Sequence, residues 1–245
     1  VILNKMIPKY FRSDASVFEN KMGMYLLDDI VEFLGQEYLP SEIWDQMGTA
    51  LVTYATHEIC SLRQPALYGM GIFAENTKVG FEKFSYEFIT KIYAALNIPK
   101  GDNDEEDFGL AKDNAVAALG RIIKHQSATI KQEDFNNIVE KWLKSLPIET
   151  DETEMSNQHE FLCDILLNKP QLVIGEKYSN AVDIVKILAR IYKSKISDES
   201  INSKISDIVS KILTVDDNFK TVVQSLYNSN DEKIQKRIKK LMNYN

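Results

Sequence analysis

Cysteine, proline and glycine are all scarce in this 245-residue sequence, at two, six and ten residues. Two cysteines are too few for a disulfide scaffold, and the low glycine and proline content excludes collagen-like and low-complexity sequence. No apolar run approaches the roughly 18 residues needed to span a bilayer. The first residues, Val1 to Arg12, lack the basic, apolar and small-residue regions of a signal peptide. An intracellular chain without membrane insertion is expected, with Cys60 and Cys163 as buried thiols in a reducing compartment. The sequence opens on Val1 rather than Met, as expected of a piece cut from a longer polypeptide.

What is present is a 44% apolar content, which excludes disorder, and 29 Lys+Arg against 36 Asp+Glu, for a net charge of -7. Neutralising phosphates needs a basic surface, so the acidic balance speaks against direct nucleic-acid binding and favours a basic partner. Apolar periodicity is helical throughout. Ile201, Ile205, Ile208, Val209, Ile212 and Leu213 form one stripe at helical spacing. Further stripes run through Phe81, Phe84, Phe88 and Ile92, through Leu26, Ile30, Val31 and Phe33, and through Phe135, Ile138, Val139, Trp142 and Leu143. No segment alternates at period two. The fold class expected is all-α, with roughly ten helices.

Internal similarity carries more. Arg63-Gln64-Pro65-Ala66-Leu67-Tyr68-Gly69-Met70-Gly71 lies 49 positions before Lys112-Asp113-Asn114-Ala115-Val116-Ala117-Ala118-Leu119-Gly120, with a basic residue, Ala and Gly at matched places. Glycine inside a helix costs about 1 kcal/mol relative to Ala, so Gly69, Gly71 and Gly120 predict close approach of a neighbouring helix. The spacing fits HEAT-type hairpins, and an α-solenoid follows as one continuous stack, with approximate hairpins at 18–76, 80–126, 132–168, 178–213 and 217–242.

The blocks Arg63-Gln64-Pro65-Ala66-Leu67-Tyr68-Gly69-Met70-Gly71-Ile72-Phe73-Ala74 and Asp113-Asn114-Ala115-Val116-Ala117-Ala118-Leu119-Gly120-Arg121-Ile122, with Trp142-Leu143-Lys144-Ser145-Leu146-Pro147-Ile148, Asp151-Glu152 and Phe161-Leu162-Cys163-Asp164, resemble the C-terminal HEAT repeats of the importin-beta (karyopherin-beta) family, most closely its importin beta-3 branch. The likeness covers about 60–170. Pro65 departs from the pattern and is expected in a first helical turn. The resemblance implies a nuclear import receptor that shuttles between cytoplasm and nucleus. Its partners would be basic protein cargo such as ribosomal proteins or histones, the Ran GTPase, and Phe-Gly nucleoporins held in slots between outer helices. It implies no enzyme activity and no cofactor, and places the main Ran-binding repeats outside this stretch. Candidate cargo or Ran contacts are Arg63, Gln64, Asp113 and Asn114 on inner helices, for which inter-repeat hydrogen bonding is the alternative role. The acidic run Asp104, Glu105, Glu106 and Asp107 adds a candidate contact for basic segments, against the alternative of a solvated loop. A HEAT scaffold with no transport role is the alternative function.

Other motifs lose to their context. Gly69-Met70-Gly71-Ile72-Phe73-Ala74 matches a dinucleotide fingerprint, but no apolar strand precedes it and no acidic residue follows where ribose is bound. His57, His125 and His159 show no metal-ligand spacing. A second acidic stretch, Glu149, Asp151, Glu152 and Glu154, reads as a loop. Lys233, Lys236, Arg237, Lys239 and Lys240 decorate a final amphipathic helix, best read as the polar face of a terminal repeat. The segment around Phe11 to Leu34 is expected to expose apolar surface.

Overall fold

The structure, a computed structural model, describes residues 8–101 and 107–243. Among them run eleven α-helices of ten or more residues. These are α1 (Val17–Leu34), α2 (Ser41–Tyr54), α3 (Cys60–Asn76), α4 (Glu82–Leu96), α5 (Asp107–Gln126), α6 (Gln132–Ser145), α7 (Glu152–Asn168), α8 (Ala181–Ile191), α9 (Glu199–Ile208), α10 (Asp217–Tyr227) and α11 (Glu232–Met242). No strand occurs among the described residues. The fold is all-α, of the α-solenoid type.

Much of the acid content starts helices. Ser16 and Glu19 close a capping box at α1, and the side chains of Asp151, Asp198, Asp216 and Asp231 accept backbone N–H bonds at the starts of α7, α9, α10 and α11. Each cap satisfies donors that the helix itself leaves free, worth about 1 kcal/mol. Gly35, at φ 65°, ends α1 in a conformation other residues adopt only with strain.

The chain divides into two compact units, Val1–Ile138 and Val139–Asn245. In the first, α3 packs most extensively on α5 and then on α1, while α2 lies against α3 and α4, and α4 against α5. Polar contacts between α3 and α5 join residues a nearly constant distance apart in sequence. Gln64 Nε2 donates to Asn114 Oδ1, Arg121 Nε to Glu75, and Gln126 Nε2 to the carbonyls of Ala74 and Thr77, at separations of 50, 46, 52 and 49 residues. An antiparallel pair would change its separation by two for every residue advanced. A constant offset therefore means parallel helices in register, matching the 49-residue sequence repeat. On the other side of the unit, Trp44 stacks on Phe73 at 4.3 Å, and Phe73 meets the edges of Phe84 and Phe88 at 5.5 and 5.3 Å, tying α2, α3 and α4 into one core.

In the second unit α7 packs on α9, and α8 on α10 and α11. Trp142 is fully buried, donates Nε1–H to Gln158 Oε1 at 3.1 Å and lies 5.3 Å from Phe161.

Three local expectations change. Pro65 lies in the interior of α3, which starts at Cys60, so the helix runs through it rather than beginning there. Phe33 is 77% exposed, because α1 buries Met24, Leu27, Ile30 and Val31 and carries apolar side chains on more than one side. The stripe at 201–213 is interrupted by a π turn over Val209–Leu213. That wider turn moves the buried position from Ile208 to Leu213 and leaves Val209 and Ile212 half-exposed.

Candidate protein-binding surfaces

The seam between α3 and α5 carries four of the residues singled out by sequence. Arg63 is 3% exposed, with Nη1 donating to the carbonyls of His57 and Glu58 at 2.8 and 3.1 Å. Asp113 and Asn114 are buried, and half-buried Gln64 reaches Asn114 across the seam. Further along, the Arg121 guanidinium sits 5.4 Å over the Tyr68 ring and pairs with Glu75, which also faces His125 at 3.5 Å. Tyr68 donates in turn to Glu32 of α1 at 3.2 Å. The small residues explain the tight seam: a Cβ at Gly71 would stand 3.2 Å from Ala118 Cα. These groups are held by each other, so the seam fixes the register of its helices.

The acidic candidates separate. Asp104, Glu105 and Glu106 lie outside the described residues, and Asp107 opens α5. The second acidic stretch is built into the fold: Glu149 pairs with Arg190 at 2.7 Å, Asp151 caps α7, and Glu154 is buried. Of the aromatic side chains on these helices, Phe81, Phe84, Phe88 and Trp142 are buried and Tyr93 is half-exposed. Both cysteines are free and buried, and burial pushes the Cys163 thiol up to about 12, which keeps it protonated.

Two clefts open beside these elements. Between α4 and the start of α6 lies one of about 470 Å³, lined by Tyr86, Ile89, Tyr93 and Ile130. Tyr86 is 79% exposed there. Within the second unit a cleft of about 300 Å³ lies between the end of α6, α8 and α11. It brings Lys233 and Arg237 of the basic helix together with Lys186 and Arg190 of α8. The α8 cations were missed because they stand alone in a strongly apolar segment; their i, i+4 spacing was the available signal.

Among the described residues no helix is long and apolar enough to cross a membrane, and no three His, Cys, Asp or Glu side chains gather as a metal site would require.

The parallel, in-register packing of α3 and α5 is that of equivalent helices in successive hairpins, and the class is an α-solenoid of armadillo or HEAT type. A designed armadillo repeat protein shares this fold, with a TM-score of 0.55 over 98% of both chains at 16% identity. In sequence, a probable importin-5 homolog from Dictyostelium discoideum is 30% identical over 208 residues, 82% of this chain. The chain spans about a fifth, 18%, of that relative's length, and is therefore its partial homologue. No protein-family model matches the chain.

Proposed function

We propose that these residues form part of a nuclear import receptor, which carries basic protein cargo through the nuclear pore under control of the Ran GTPase. The observation that carries the reading is the 30% identity over 208 residues to a probable importin-5 homolog. The acidic balance of the chain, at -7, suits basic cargo by long-range attraction. Asp107, with Asp104, Glu105 and Glu106, is the cargo contact proposed. Of the inner-helix candidates, half-buried Gln64 is the one proposed to reach a partner, its bond to Asn114 joining α3 to α5, while Arg63, Asp113 and Asn114 are buried. The cleft beside Tyr86, Ile89 and Ile130 offers a Phe side chain of a Phe-Gly repeat an apolar slot with an aromatic wall. The mechanism is binding linkage, with no covalent step: Ran-GTP and cargo favour different arrangements of the solenoid, so each lowers the affinity for the other.

The experiment is photobleaching of the fluorescently tagged polypeptide that carries these residues, in its own cells. A shuttling receptor recovers nuclear fluorescence from the cytoplasmic pool within minutes. Exclusion from the nucleus, with no exchange, favours a cytoplasmic HEAT scaffold instead.

A further inference from the structure

We propose that the cleft between the end of α6, α8 and α11 is a docking site for an acidic peptide segment bearing apolar side chains. The inference is independent of the transport reading. Leu146, Ile187 and Ile238 form its nearly closed floor, and Ile234 stands half-exposed among the lining residues. Around that floor stand five cations, Lys144, Lys186, Arg190, Lys233 and Arg237, against two acids, Asp183 and Asp231.

The local charge balance is the reverse of the whole chain's. Two of the cations are already matched, Arg190 by Glu149 at 2.7 Å and Lys144 by Glu140. Among the described residues, Lys186, Lys233 and Arg237 form no ion pair. Asp231 is committed to the α11 N-terminus, where Oδ1 accepts from the backbone N–H groups of Lys233 and Ile234 at 2.9 and 3.0 Å. Each of two helices thus offers cations one turn apart, Lys186 and Arg190 on α8, Lys233 and Arg237 on α11. Charge complementarity selects an acidic occupant. The apolar floor selects side chains such as Leu or Phe between the acids, because burying them there is favourable at about 25 cal/mol per Å². An extended nucleic acid is disfavoured, since its phosphates would run beyond the cleft onto a chain of net charge -7.

Fluorescence anisotropy with the 245-residue protein tests the proposal, using a labelled peptide of about 12 residues in which Glu and Asp alternate with Leu and Phe. Saturable binding is expected, weakening several-fold as salt rises from about 0.05 to 0.3 M. Lys186→Glu combined with Arg237→Glu is expected to lower affinity at least about tenfold. Lys169→Glu combined with Lys195→Glu, the same charge change at exposed positions outside the cleft, is expected to leave it within about twofold. If circular dichroism shows that the cleft variant does not fold, Lys233→Glu at an exposed lining position takes its place, with a loss of about threefold expected. Absence of saturable binding overturns the proposal. So does an equal loss in the two double variants, an unchanged affinity in Lys233→Glu, or tighter binding of a single-stranded oligonucleotide or a basic peptide.

Discussion

Asp28 and His159 are buried ionisable side chains, and among the described residues each keeps one polar atom, Oδ1 and Nε2, without a hydrogen-bond partner. Burial holds the Asp28 carboxyl well above its usual range, with Asp29 and Glu32 adding repulsion. A raised folded value stabilises below the unfolded one, near 4, and that contribution is lost as pH rises through the folded value, at about 1.4 kcal/mol per pH unit. Asp28→Asn removes the titration, so its stability advantage over the parent should grow with pH; thermal melts at mildly acidic and at alkaline pH check this. His159 acts in the opposite sense. Burial pushes its imidazole down to about 4, while Nδ1 lies 3.1 Å from the Ile196 carbonyl oxygen. The unfolded chain takes up that proton near 6.5, so the stability present above 6.5 is lost as pH falls towards 4. His159 by itself contributes about 2 kcal/mol less stability at pH 5 than at pH 7, opposite in sign to Asp28 over the same window, so in urea unfolding the stability of the parent relative to His159→Gln should fall by that amount from pH 7 to pH 5. Neither residue was legible from sequence, because a polar side chain on an apolar helix face acquires its environment only from the helices packed on it.

The pairing of α3 with α5 was legible, because a matched pattern of a basic residue, Ala and Gly 49 positions apart is what two equivalent, closely packed helices require. The structure adds the other wall at Gly69: a Cβ there would meet Asp28 Oδ1 of α1 and Leu51 Cδ2 of α2. Gly69→Ala should therefore destabilise by about 1–3 kcal/mol in denaturant unfolding, although Ala is the better helix former by about 1 kcal/mol. Equal or greater stability in that variant would contradict the packing. The π turn after α9 escaped the periodicity because it changes the spacing of buried residues from four to five at a single point. Pro65 escaped for a related reason. Propensity argues against a helix interior by about 3 kcal/mol, and tertiary packing of the buried α3 outweighs it. Of the candidate contacts, sequence identified residue types and their equivalence but not their burial, and it left the cleft between α8 and α11 unseen because that cleft joins segments some 45 residues apart.

At the scale of the whole molecule, the N-terminal segment exposes apolar surface as the sequence reading anticipates. Phe18, Met22, Tyr25 and Phe33 are 71%, 42%, 37% and 77% exposed along one side of α1. This apolar side, interrupted by exposed Asp29 between Tyr25 and Phe33, is an association surface. The isolated 245-residue chain should self-associate with rising concentration in sedimentation velocity, and Phe18→Glu combined with Phe33→Glu should return it to a monomer. A strictly monomeric parent at high concentration would contradict this. What was legible was an α-solenoid similar in sequence to part of an importin-5 homolog; residues for the proposed cargo and Ran contacts were not, since contact depends on which seam faces a partner. The most direct test of the account is capture of a basic histone-tail or ribosomal peptide by the polypeptide carrying these residues, with Ran loaded with GTP or with GDP. The account predicts that the peptide is retained with Ran-GDP and released by Ran-GTP. Equal retention in both nucleotide states would contradict it and point to a scaffold outside the transport cycle.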